Sequence, residues 1–247
     1  MDSATRKELK GDKFAEEVFD IFEWASVHKA EVMRYGAIAL AVVVIAIGVV
    51  LYQRSQAESR QEALAQALQI DDGSVGPNAP PTILHYDTPA DKDKARVKAF
   101  TDLATKYSGT QEGAFGSFTL ASDAVDKGNL AEAEKHFREV ADSGPKAYAA
   151  LARSSLAHVL MAEGKTAEAQ KILKELADSP SLTVSKEAAT LDLAQAMGKT
   201  DPAGALKLLD PLRTSSRQPV SRVAVTEYGN IDQANPGLTK NGVIVKK

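Results

Sequence analysis

Four histidines, two Gly-Lys-Thr triplets and scattered carboxylates are the residues of this 247-residue chain best suited to chemistry. The histidines are His28, His85, His136 and His158; no pair has metal-ligand spacing, and neither HExxH nor GxSxG occurs. The triplets at 164–166 and 198–200 would suit a phosphate-binding loop, in which backbone amides cradle the phosphates and the lysine neutralises them. Such a loop needs another glycine five residues before the one preceding the lysine, where this chain has Val159 and Leu193. It also follows a strand, whereas both triplets sit between helical stretches, so they read as hairpin turns. Glu132 and Glu134 stand at a helix start, where the macrodipole favours carboxylates without any catalytic role. No catalytic constellation emerges. The chain reads as a non-enzyme, with no cofactor, no metal and no small-molecule substrate expected. Its lack of cysteine removes disulfides, thiolate catalysis and Cys-based zinc sites. A net charge of −3 without a large basic patch argues against nucleic acid as a partner.

With catalysis set aside, the elements carry the reading. Apolar residues make up 44% and aromatics 6%, a balance that suits packed helices with small contact residues. From Tyr35 to Tyr52 the chain carries no charge, and Arg34 and Arg54 flank the run. As a helix it spans roughly 27 Å, close to the hydrocarbon thickness of a bilayer. The two tyrosines fall where an aromatic belt would lie. Ser55-Gln56-Ala57 resembles a cleavage site, but the run is too long for a signal peptide and too far from the N-terminus, so an uncleaved anchor is expected. Lysines and arginines within the nearest twenty residues balance on the two sides, and the full count favours a cytoplasmic N-terminus. The expected organisation is an amphipathic cytoplasmic arm over 1–34, a transmembrane helix over 35–52, a polar helix over 53–70 and a Pro/Gly/Asp-rich linker over 71–95. A repeat domain over 96–228 and a flexible tail over 229–247 follow. In the arm, Phe14, Val18, Ile21, Phe22 and Ala25 share a face among acidic neighbours.

The repeat is visible in two phrases, GNLAEAEKHF at 128–137 and GKTAEAQKIL at 164–173. Ala133, Ala169 and Ala205 recur at a step of 36, as do Phe137, Leu173 and Leu209, and Val140, Leu176 and Leu212. Within each copy the three positions lie on one helical face, with a small residue where a neighbouring helix can approach. Each such helix has an upstream partner, where Leu120 and Ala121 match Leu156 and Ala157. Gly128 and Gly164 are placed as left-handed caps between partners, and a third pair spans 186–213 with a turn that looks two residues longer, its second helix opening at Pro202 and Ala203. Residues 91–110 read as the second helix of an earlier, degenerate pair, and the stretch after Pro219 as a capping helix.

A helix–turn–helix unit of this length, with alanine at that point of its second helix, resembles the tetratricopeptide repeat. The residues that carry the resemblance are Leu120, Ala121, Gly128, Ala133 and Phe137, then Leu156, Ala157, Gly164, Ala169 and Leu173. Ser117 and Arg153 stand where an early aromatic is usual, so the copies are divergent. The fold class is therefore all-α: one N-terminal transmembrane helix, then an α-solenoid of tetratricopeptide-like pairs. Arm, anchor, polar helix, linker and repeats in this order, with YSGTQEGAFGSFTLASDAVDKGNLAEAEKHF, resemble the ancillary SecYEG translocon subunit family. That resemblance implies a single-pass protein of the bacterial inner membrane with its repeats in the periplasm. It also implies partnership with translocon subunits, periplasmic chaperones and exported chains.

Physics alone supports a narrower expectation. Stacked pairs form a concave groove lined by their first helices, and such grooves take protein or peptide segments. The expected lining is Phe118, Ser122, Val125 and Asp126 on the first pair, Ser154, His158 and Met161 on the second, and Asp192 and Gln195 on the third. Phe118, Val125 and Met161 could equally serve the core. A membrane-tethered scaffold is the leading reading, and a self-associating envelope or cell-division scaffold is the alternative.

Overall fold

The computed structural model describes residues 27–76, 83–240 and 243–244. The amphipathic face expected over residues 14–25 lies outside these. The first helix, α1 (Lys29–Asp71), runs through the apolar stretch. The chain divides into two compact units, 1–59 and 60–247. In the first unit every side chain from Tyr35 to Tyr52 is exposed. The helix is long and apolar enough to cross a membrane, and none of its apolar window is buried in protein. Residues so apolar need a nonaqueous neighbour, which the bilayer core would supply.

The second unit holds the last turns of α1 and eight further helices among the described residues. These are α2 (Pro89–Lys106), α3 (Gln111–Asp126), α4 (Leu130–Ser143), α5 (Lys146–Ala162), α6 (Thr166–Asp178), α7 (Lys186–Met197), α8 (Pro202–Arg213) and α9 (Gln218–Ala234). From α2 onward each helix packs on the next in the chain, so the unit is a helical solenoid. The starts are chemically specified. Thr88, Thr110, Asn129, Ser185 and Asp201 each accept a backbone N–H two or three residues into the helix they precede. Gly128 and Gly164 take φ of +74° and +79°, closing the first two turns in the left-handed region. Gly198 stays right-handed, and the third turn, Gly198 to Asp201, is one residue longer than Lys127 to Asn129, not two. Asp201 and Pro202 open α8 as cap and first residue.

The 36-residue step marks the core. Ala133, Ala169 and Ala205 are fully buried, with Phe137, Leu173 and Leu209 buried one turn on, while Leu212 is only half-buried. Interior packing at this density leaves no room for a larger side chain at the alanines. In the expected degenerate pair, Phe100, Leu103 and Ala104 of α2 align with Phe137, Val140 and Ala141, and Arg96 takes the place of the alanine. The first helix of that pair is the end of α1, whose Ala67 is buried against Phe100, Leu103 and Tyr107. Arg96 is accommodated by charge. Its guanidinium donates to Asp71 at the end of α1 and to both oxygens of Asp123 on α3, one of them at 2.9 Å. Those bonds, Asp123 first, hold its pKa above the ordinary arginine value. The partner helix α3 meets α2 through Gly116, where a Cβ would stand 2.9 Å from the Phe100 carbonyl oxygen.

Polar ties along the turn edge join successive pairs. Lys127 in the first turn meets Asp93 of α2 at 3.0 Å, and Lys165 in the second meets Glu134 of α4 at 2.6 Å. At the third, Gln170 of α6 donates to the Ala196 carbonyl and the Thr200 hydroxyl, both at 2.8 Å. Lys165 and Arg138 together hold the Glu134 carboxyl down to about 2, the Lys165 hydrogen bond being the larger cause.

Two boundaries differ from expectation. Within the segment 71–95, β1 (Ser74–Val75) pairs in parallel with β2 (His85–Tyr86), and α2 already begins at Pro89. Thr88 with Asp91 forms a side-chain cap there, and a cap outweighs the linker-like composition around it. At the other end α9 runs five residues past Gly229, because Ala224, Tyr228 and Ile231 continue one buried stripe. Leu238 then packs on the last core cluster, and β3 (Thr239–Lys240) pairs antiparallel with β4 (Val243–Ile244). The start of the segment expected as a flexible tail is thus helix, and the antiparallel pair β3–β4 follows it.

Candidate functional site

The helices α3, α5 and α7 are the first members of three successive pairs, and each keeps one stripe of side chains out of the core. Helix α3 touches α5, and α7 touches α9. An ion pair carries the contact from α5 to α7: His158 Nε2 lies 3.3 Å from Asp192 Oδ2. That hydrogen bond raises the His158 pKa above its ordinary value against the opposing effect of burial. The first helices therefore line one continuous face.

Two cavities open on that face. One, of about 330 Å³, lies between α3 and α5 and brings Ser122, Val125 and Asp126 together with His158. Its floor is Phe137, Val159 and Leu130. The other, of about 570 Å³, brings Met161 and Gln195 together with Glu227 and Asn230 of α9 and Lys199 of the third turn.

The nine residues expected to line the groove divide accordingly. Val125 and Asp126 are exposed at the rim of the first cavity, and His158 bridges to Asp192. Ser122 lines the cavity with its hydroxyl turned back to donate to the Phe118 carbonyl at 3.1 Å. Phe118 is half-buried, its ring edge-on to Phe137 with centroids 5.2 Å apart, so it serves the core. Met161 does both, packing on the core and lining the second cavity. Gln195 is exposed in that cavity, and Ser154 is half-buried beside neither. Sequence reasoning missed Leu130, Phe137, Ser155, Val159 and Ala162 in the first cavity and the whole contribution of α9 to the second. The i, i+3, i+4, i+7 series Glu227, Asn230, Ile231, Ala234 was the available signal, since a capping helix continues the lining of the stack it closes.

Among the described residues no group of three or more His, Asp or Glu side chains could hold a metal ion. His158 and Asp192 are paired with each other.

A solenoid of helix pairs with tight alanine crossings and a lined inner face, preceded by one long apolar helix, defines the class. The chain belongs to the tetratricopeptide repeat-like domain family, whose model matches residues 31–206 and so takes in the apolar helix as well as the pairs. Domains of this family generally mediate protein–protein interactions. No curated protein and no solved structure matches the chain.

Proposed function

We propose that this protein is a membrane-anchored scaffold that binds protein segments in the groove of α3, α5 and α7. We further propose that it serves as an ancillary subunit of a SecYEG-type translocon. In this reading α1 crosses the bacterial inner membrane with its N-terminus in the cytoplasm, and the repeats meet exported chains and their chaperones in the periplasm. The observation that carries the binding role is the first cavity. Its rim residues Val125, Asp126 and His158 are not consumed by the core, yet its floor is apolar, which is how peptide-binding clefts combine affinity with orientation. The anchor and the order of segments support the translocon assignment, and the wider count of Lys and Arg before the anchor supports the orientation.

The test is photocrosslinking in cells from a reactive residue at 158, with identification of what is captured. Translocon subunits, periplasmic chaperones or secretory chains are expected. Capture only of cytoplasmic proteins would contradict the orientation, and capture only of further copies would favour a self-associating scaffold instead.

A further inference from the structure

Among its described lining residues the first cavity has one carboxylate, Asp126, and no lysine or arginine. Helix α3 ends at Asp126 and α5 ends at Ala162, and both terminal residues line the cavity. Each helix end concentrates the negative pole of its backbone dipole, which a Lys or Arg in the last turn commonly offsets. Neither helix carries a basic residue in its last turn. The two lysines that follow, Lys127 and Lys165, are held away by the turn-edge ion pairs to Asp93 and Glu134. Asp126 is exposed and, among the described residues, has no ion-pair partner. The imidazole that lines the cavity, His158, is engaged by Asp192 at 3.3 Å.

The geometry points to a basic occupant: a peptide segment that inserts one apolar side chain onto Phe137, Val159 and Leu130 and sets a flanking lysine or arginine against Asp126 and the two helix ends. This rests on the groove reading above and adds the class of segment bound. Charge complementarity selects it, since such fields steer and orient partners more than they add raw affinity. The acidic stretch of the chain's own arm, with Glu16, Glu17, Asp20 and Glu23, is a poor candidate, because it has the same sign as Asp126 at the cavity rim.

The experiment is fluorescence anisotropy with the full-length protein in detergent. The probe is a labelled nonapeptide of glycine and serine carrying one central leucine flanked by two lysines. Matched peptides replace the lysines with glutamates or the leucine with serine. The lysine peptide should bind about tenfold or more tighter than the glutamate peptide, and loss of the leucine should weaken it similarly. Asp126→Lys, at an exposed helix end, should abolish the preference, with Asp126→Asn intermediate. Asp142→Lys, on the exposed face of α4, should leave it unchanged. Equal binding of the two charged peptides, no binding of the lysine peptide, or a preference that survives Asp126→Lys would overturn the proposal. A dimer that Asp126→Lys dissociates would assign the cavity to a second copy and overturn it as well. Capture from position 158 in cells without any lysine preference would sink this inference and leave the groove reading standing.

Discussion

Ala169 is the most informative residue to perturb, because the repeat register stands or falls with it. It is fully buried on α6, which packs against both α5 and α7. Ala169→Asp would put a carboxyl group into that crossing, within a cluster of buried apolar residues. A buried carboxylate so isolated takes a proton rather than keep its charge. Holding an aspartate neutral at pH 7.4, against an ordinary pKa of about 3.9, costs about 4–5 kcal/mol. The added atoms must also be fitted where only a methyl group fits, at about 1–3 kcal/mol more. The sum approaches the whole stability of an ordinary domain, about 5–15 kcal/mol. Each kcal/mol moves the midpoint of a domain of this size by about 2–4 °C. Thermal melts followed by circular dichroism should therefore fall by at least about 10 °C, or show no cooperative transition. Lys171→Asp, two residues on and exposed, is the control and should stay within about 0.5 kcal/mol of the parent. A midpoint for Ala169→Asp equal to that of the control would refute the packing argument.

Three further outcomes follow from particular contacts. The Glu134 pKa lies well below the ordinary 4.5, at about 2, so its contribution to stability is present above pH 4.5 and is lost as pH falls toward 2. Urea midpoints of the parent and Glu134→Gln should differ at pH 6 and converge on acidification; a constant difference would deny the Lys165 tie. The His158 pKa is raised by Asp192, so that pair stabilises the fold below the ordinary value near 6.5 and loses its effect as pH rises through the folded value. Imidazole resonances followed by NMR should titrate at lower pH in Asp192→Asn, and an unmoved titration would mean the pair does not form in solution. Gly116→Val should destabilise by about 1–3 kcal/mol, since its Cβ would meet the α2 backbone at Phe100 and Ala104, and a neutral chemical-denaturation result would mean those helices lie further apart.

The helix pairs were legible because their signal is local. Periodic alanines with a large apolar residue one turn on, glycine caps and serine, threonine or asparagine starts all act within a few residues. Arg96 was not legible as a replacement for the repeat alanine. Its partners Asp71 and Asp123 are distant in sequence, and only folding shows that their carboxylates converge on it. The same holds for α9. The stretch after Pro219 reads as a cap, but that Glu227 and Asn230 lie beside the third turn depends on the fold. Composition misled at 89–95, where proline and aspartates looked like linker but serve as the first turn of α2 under the Thr88 cap. At the groove the stripe of first-helix residues could be listed from periodicity, but its division between core and cavity depended on side-chain packing. Phe118 turned to Phe137 while Val125, two turns further on, stayed at the rim.

The most direct measurement of the central claim is a photocrosslinking scan that compares two faces of the solenoid in cells. Reactive residues at 125, 158 and 195 sample the groove, and at 135, 171 and 174 the opposite exposed helices. Capture of protein partners confined to the groove positions is the predicted result. Equal capture from both faces, or capture from the outer positions alone, would contradict a binding groove formed by α3, α5 and α7.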